Sequence, residues 1–115
     1  MMQPIRPELV QEMLDALKGE PVYLHLEMTT GAYANKRNQS MLTASAFITN
    51  ADVRYSQGSI AGQGPYRIGL KTETGWVYAQ GLTHWEEQEK DRIIAAGHDD
   101  EGKLVVAFQL SKQPF

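Results

Sequence analysis

Apolar positions follow one period at the start of the chain and another after it. Leu9, Val10, Met13, Leu14 and Leu17 recur at three- and four-residue intervals, the spacing of one helical face. Pro7 suits the first turn, where an N–H has no partner to lose, and Glu8 sits at the positive end of the dipole. Gly19 can take the left-handed conformation that ends a helix, and Pro21 forbids continuation. The pattern predicts a helix over about 7–18.

Beyond Pro21 the period is two. Val22, Leu24, Leu26 and Met28 alternate with Tyr23, His25 and Glu27, which predicts a half-buried strand. A second strand is read from Leu42 to Thr49, followed by a turn at Asn50-Ala51-Asp52. A third runs from Val53 to about Ala61, with a bulge or bend at Gly58, before Gly62-Gln63-Gly64-Pro65 breaks the chain. Tyr66–Lys71 and Trp76–Leu82 flank Glu73-Thr74-Gly75, which reads as a three-residue loop with Gly75 left-handed. After the charged stretch Glu86–Asp91, a last hairpin pairs Arg92–His98 with Leu104–Leu110 around Asp99-Asp100-Glu101-Gly102.

Short turns between consecutive strands require antiparallel pairing, because a parallel pair needs a long crossover. The expected fold is therefore mainly β (α+β). An antiparallel meander of about seven strands forms a small barrel or sandwich, and the N-terminal helix covers an open end or edge. One domain is expected over 1–115, with the β body at about 21–111.

Composition narrows the chemistry. Hydrophobic residues are 42% and charged residues 22% of the 115, an ordinary balance for a chain with its own core. The absence of cysteine excludes disulfides, a thiol nucleophile and zinc–thiolate sites, and it fits a reducing, cytoplasmic setting. No apolar run approaches the roughly 20 residues of a membrane span, and Met1–Pro7 lacks the basic-then-apolar order of a signal peptide. A net charge of −3 offers no basic field for nucleic acid. No G-x-S-x-G, P-loop or H-E-x-x-H pattern occurs, so no catalytic residue, metal or cofactor is assigned.

Five places carry candidate ligand or partner chemistry. His25 and Glu27 leave the same strand face about 7 Å apart, where a carboxylate can orient an imidazole or raise its pKa. The plainer reading is a polar strand face. Arg67 and Lys71 share a face with Gly69 between them, where an anion can approach the backbone. The alternative is solvation beside a bend. His98 precedes three acidic residues, yet Gly102 gives that segment an ordinary hairpin role. Lys36 and Arg37 lie in the long loop Thr29–Ser40, either a partner-binding or a solubilising segment. Trp85 is either an interface anchor or a ring folded back on the body. Trp76, Tyr78 and Tyr66 are read as core and cross-strand packing.

Several strings carry a resemblance. Pro21-Val22-Tyr23-Leu24-His25-Leu26-Glu27 with Thr29-Thr30-Gly31 and Tyr33 is similar to the opening strand of the YojF family. So are Gly64 to Glu73, Gly75-Trp76-Val77-Tyr78-Ala79, Ala96-Gly97-His98 with Gly102-Lys103-Leu104, and Pro114-Phe115. The resemblance covers the chain from about residue 8 onward, less well at Asn35–Gln39 and Glu86–Asp91. It implies a small, cytoplasmic, β-barrel-like bacterial protein of the bacillus type and of uncharacterised function. It also implies a possible partner, since a member can be encoded beside a metal-dependent N-deacetylase of bacillithiol synthesis. It carries no site residues.

Together these readings favour a non-enzymatic binding or accessory protein, expected as a homodimer because exposed strand edges need covering. The alternative is a small enzyme acting on an anionic metabolite through His25 and Glu27, with His98 brought beside them. The two differ in whether the fold gathers those three side chains.

Overall fold

The computed structural model describes residues 1–29 and 46–115. Lys36, Arg37, most of the Thr29–Ser40 loop and the start of the strand read from Leu42 lie outside the described residues.

The predicted helix is α1, Pro7–Leu17, one residue shorter than the reading. It buries Val10, Leu14 and Leu17, three of the positions in the apolar stripe. Lys18 at φ −60°, ψ 133° and Gly19 at φ 80° turn the chain, and the Glu20 N–H donates to the Leu17 carbonyl at 3.2 Å. That is a type II turn, with glycine where φ must be positive.

The described residues contain β1 (Gln3–Pro4), β2 (Val22–Met28), β3 (Ala46–Val53), β4 (Gln57–Gly62), β5 (Tyr66–Lys71), β6 (Trp76–Leu82), β7 (His84–Trp85), β8 (Arg92–His98) and β9 (Leu104–Ser111). All pairings are antiparallel. One sheet runs β1-β7-β8-β9-β2-β3 and the other β4-β5-β6. Neither closes on itself among the described residues, so the architecture is the open, sandwich-like form of the expected fold. β6 packs across β8 and β9, and α1 packs on β4. One core joins the layers, with Leu14, Leu24, Tyr55, Ile68, Leu70, Leu82, Trp85 and Phe108 among its large buried side chains.

Three local expectations are corrected. The turn read at Asn50-Ala51-Asp52 lies inside β3. Asn50 takes φ 53°, and the β2–β3 register shifts between Leu24 and Leu26, so an irregularity replaces the turn. Asparagine tolerates that conformation, and its side chain exchanges hydrogen bonds with Phe115 at 3.0 and 2.6 Å. Val53 consequently ends β3 rather than starting the next strand. The chain crosses between sheets at Arg54–Ser56, where buried Tyr55 donates its hydroxyl to the Leu14 carbonyl at 2.5 Å. Gly75 is not left-handed. Thr72 organises that turn instead, its N–H donating to the Gly75 carbonyl at 2.7 Å and its hydroxyl oxygen accepting the Gly75 N–H at 3.1 Å.

The helix also closes a strand edge. The Gln11 amide donates to the Gly58 carbonyl at 2.8 Å and accepts from the Ile60 N–H at 3.1 Å. One side chain thus fills the place of a neighbouring strand beside β4. Between β6 and β8, Gly97 has no room for a side chain, because a Cβ there would run into the Gly81 backbone.

Candidate functional site

His25 and Glu27 do meet. Alternation along β2 puts both on the face away from Leu24 and Leu26, and His25 Nε2 lies 3.2 Å from Glu27 Oε1. The other ring nitrogen is 3.3 Å from the Thr49 hydroxyl. Phe47 and Phe115 meet the imidazole edge-on, with centroids at 5.5 and 6.0 Å. Both nitrogens are therefore engaged, and two aromatic rings flank the imidazole.

His98 is elsewhere. His25 pairs with Gln109 on β9, whereas His98 pairs with Leu104. Five residues of strand separate those positions, on the order of 17 Å. The neighbour of His98 is His84, ring to ring at 5.5 Å, with the Thr83 hydroxyl 2.7 Å from His84 Nδ1. The acidic run after His98 forms a turn. One Asp99 carboxylate oxygen accepts from the Glu101 and Lys103 N–H groups, both at 2.9 Å. Gly102 supplies the positive φ, 78°. Among the described residues no three histidine, aspartate or glutamate side chains gather as a metal site.

Trp85 is folded back, 2% exposed in the core, and so offers no protruding anchor. It lies at the base of a groove of about 450 Å³ between α1 and the 86–90 connection, with Leu9, Met13 and Ala16 along the helix side. The Trp85 indole N–H has no hydrogen-bond partner among the described residues, but it is buried rather than presented to the groove.

Arg67 and Lys71 reach the outer face of β4-β5-β6, as alternation along β5 requires, because Ile68 and Leu70 point into the core. The structure adds two residues that sequence reasoning had assigned to packing. Trp76 and Tyr78 are 45% and 43% exposed on this same face. Their strand partners decide it: Trp76 lies opposite Lys71, and Tyr78 opposite Gly69. The Arg67 guanidinium sits 4.8 Å from the Tyr78 ring centroid. Trp76 and Tyr78 are parallel within 5°, with centroids 5.6 Å apart. Gly69 provides the space, since a Cβ there would stand 2.8 Å from the Tyr78 ring. The glycine that seemed to leave room for a ligand leaves room for an aromatic ring. Gln57, Ser59 and Ala61 on β4 complete the rows, and none of these residues is acidic.

A family model described as a protein of unknown function (DUF1806) matches residues 4–115. The chain belongs to the DUF1806 family. This DUF1806 chain is 48% identical over 114 residues to the uncharacterized protein YojF of Bacillus subtilis (strain 168), covering 99% of this chain and 98% of that one. It is similar in structure to the crystal structure of the Bacillus subtilis YojF protein. The TM-score is 0.79 at 44% identity, covering 99% of this chain and 96% of the other. The mainly β architecture of the DUF1806 chain is thus shared with a solved relative. No helix among its described residues is long and apolar enough to cross a membrane.

Proposed function

We propose that this protein binds rather than transforms its ligand. A small anionic molecule is held on the outer face of β4-β5-β6 by Arg67 and Lys71. The observation that carries this reading is an unbalanced patch on an acidic chain. Neither cation makes an ion pair among the described residues, no carboxylate shares their rows, and two exposed aromatic rings lie beside them, Tyr78 opposite Gly69 and Trp76 opposite Lys71. The enzymatic alternative keeps its His25–Glu27 pair but lacks His98, which lies elsewhere.

An accessory role beside an enzyme, with the N-deacetylase of low-molecular-weight thiol metabolism as the partner implied by the resemblance, fits a cytoplasmic binding protein of this kind. A homodimer fits as well. β3 is an edge of the larger sheet among the described residues, with Phe47 68% exposed along it. A second copy pairing there antiparallel would cover both edges at once.

The test is a calorimetric screen of phosphorylated and carboxylated small molecules at low salt, run in parallel on the R67A/K71A double variant. Roughly tenfold or greater loss of affinity is expected, since a charge-assisted hydrogen bond contributes about 1.5–3 kcal/mol. Equal binding by the variant would move the ligand to another surface.

A further inference from the structure

We infer that the anion held on this face carries a flat aromatic ring, as a mononucleotide does, with the ring stacked on Trp76 and the anionic group at Lys71. The inference rests on the binding reading above and specifies its ligand class.

The register orders the side chains. Tyr78 stands opposite Gly69, Trp76 lies two residues back on β6 opposite Lys71, and Arg67 lies two residues the other way on β5. Arg67 therefore closes one end of the series and Trp76 is its open end, with Tyr78 held between them. A third ring can extend the stack only at Trp76. There the nearest cation is Lys71, and side chains directly opposite each other have Cβ atoms about 5 Å apart. Gln57, opposite Lys71 on β4, adds an amide beside it. The nearest carboxylate in sequence, Glu73, lines a different depression with Asp52 and Arg54.

The pairing of exposed aromatic with cation on a sheet face is the chemistry by which bases and phosphates are held together. Its extent argues for one nucleotide rather than a strand. One open ring end with one cation beside it, Lys71, makes a single subsite, and the net charge of −3 supplies no field to draw in a polyanion.

Three probes separate the parts: AMP, ribose 5-phosphate and adenosine, titrated into the intact chain at low salt by calorimetry and tryptophan emission. Trp85 is buried and Trp76 exposed, so ligand-dependent change is expected in the red, solvent-exposed component. AMP should bind roughly tenfold or more tightly than ribose 5-phosphate, given the contribution of base–aromatic stacking. The W76A variant should reduce AMP to the affinity of ribose 5-phosphate, and K71A should weaken both phosphates. An unchanged thermal midpoint confirms that W76A is folded, and W76F, which keeps a ring, should retain most of the AMP preference. Equal binding of AMP and ribose 5-phosphate would overturn the stacking inference and leave the anion reading standing. No binding of either phosphate at millimolar concentration would overturn the mononucleotide inference, and the anion reading falls with it only if the carboxylated molecules of the screen also fail to bind. Far tighter binding of a single-stranded octathymidylate than of AMP would replace the mononucleotide with a polynucleotide.

Discussion

At the scale of single residues, Tyr55 ties the crossing between the sheets to the helix. Burial raises its phenol far above the ordinary value, and nearby Asp15 raises it further. The unfolded phenol ionises near pH 10. Above that pH the unfolded chain releases a proton that the native chain keeps, so stability falls as pH rises. The slope approaches about 1.4 kcal/mol per pH unit, and below pH 10 this group contributes no pH dependence. Urea unfolding at pH 9, 10 and 11 should show the decline in the native chain. The Y55F variant should start about 1 kcal/mol lower through the lost hydrogen bond and decline less steeply. Parallel profiles would remove Tyr55 as the cause. His25 and Glu27 were legible as a pair because alternation alone puts i and i+2 on one face. Their separation from His98 was not, because β9 lies between their strands and its register is a property of three segments together. The cross-strand packing of Tyr78 was legible, but the outward placement of Trp76 and Tyr78 was not, because alternation divides a strand into two faces without naming the inner one, and Trp76 is large enough to suggest a core.

At the scale of elements, the seven longer strands and α1 were largely visible in the periodicity, while β1 and β7 are two residues each and too short to show a period. The errors sit at connections. Asn50 looked like a turn because asparagine favours one, yet here its positive φ serves an irregularity within β3. How α1 docks was also hidden, since Gln11 is an ordinary polar position on a helix until β4 lies beside it. Replacing it tests that docking. The Q11A variant leaves the Gly58 carbonyl and the Ile60 N–H without their partner in a partly buried place. A loss of about 1–3 kcal/mol is expected by chemical denaturation. Q11E, which accepts but cannot donate when ionised, should recover only part of it. A change within experimental error for both variants would show that solvent replaces the amide without cost.

At the scale of the whole molecule, the sheets present surfaces of different character. The smaller sheet shows cations and aromatic rings outward. Among the described residues the larger ends at β3, with Phe47 exposed and Ile48 partly so. If two copies join along β3, the F47D variant should run as a monomer in light scattering where the native chain runs as a dimer. It should also keep its anion affinity, because β3 and β5 belong to different sheets. A native chain that is monomeric at high micromolar concentration would remove the dimer.

The amide of Gln11 has a further consequence in the language of polymer growth. An open strand edge is a reactive end, and a molecule with two such ends adds copies without limit, whereas one with a single self-complementary end stops at a pair. By occupying β4, Gln11 blocks growth at that one edge of the monomer. If two native copies pair along β3, loss of the amide opens a further end, so concentrated Q11A protein should build a ladder of species beyond that pair.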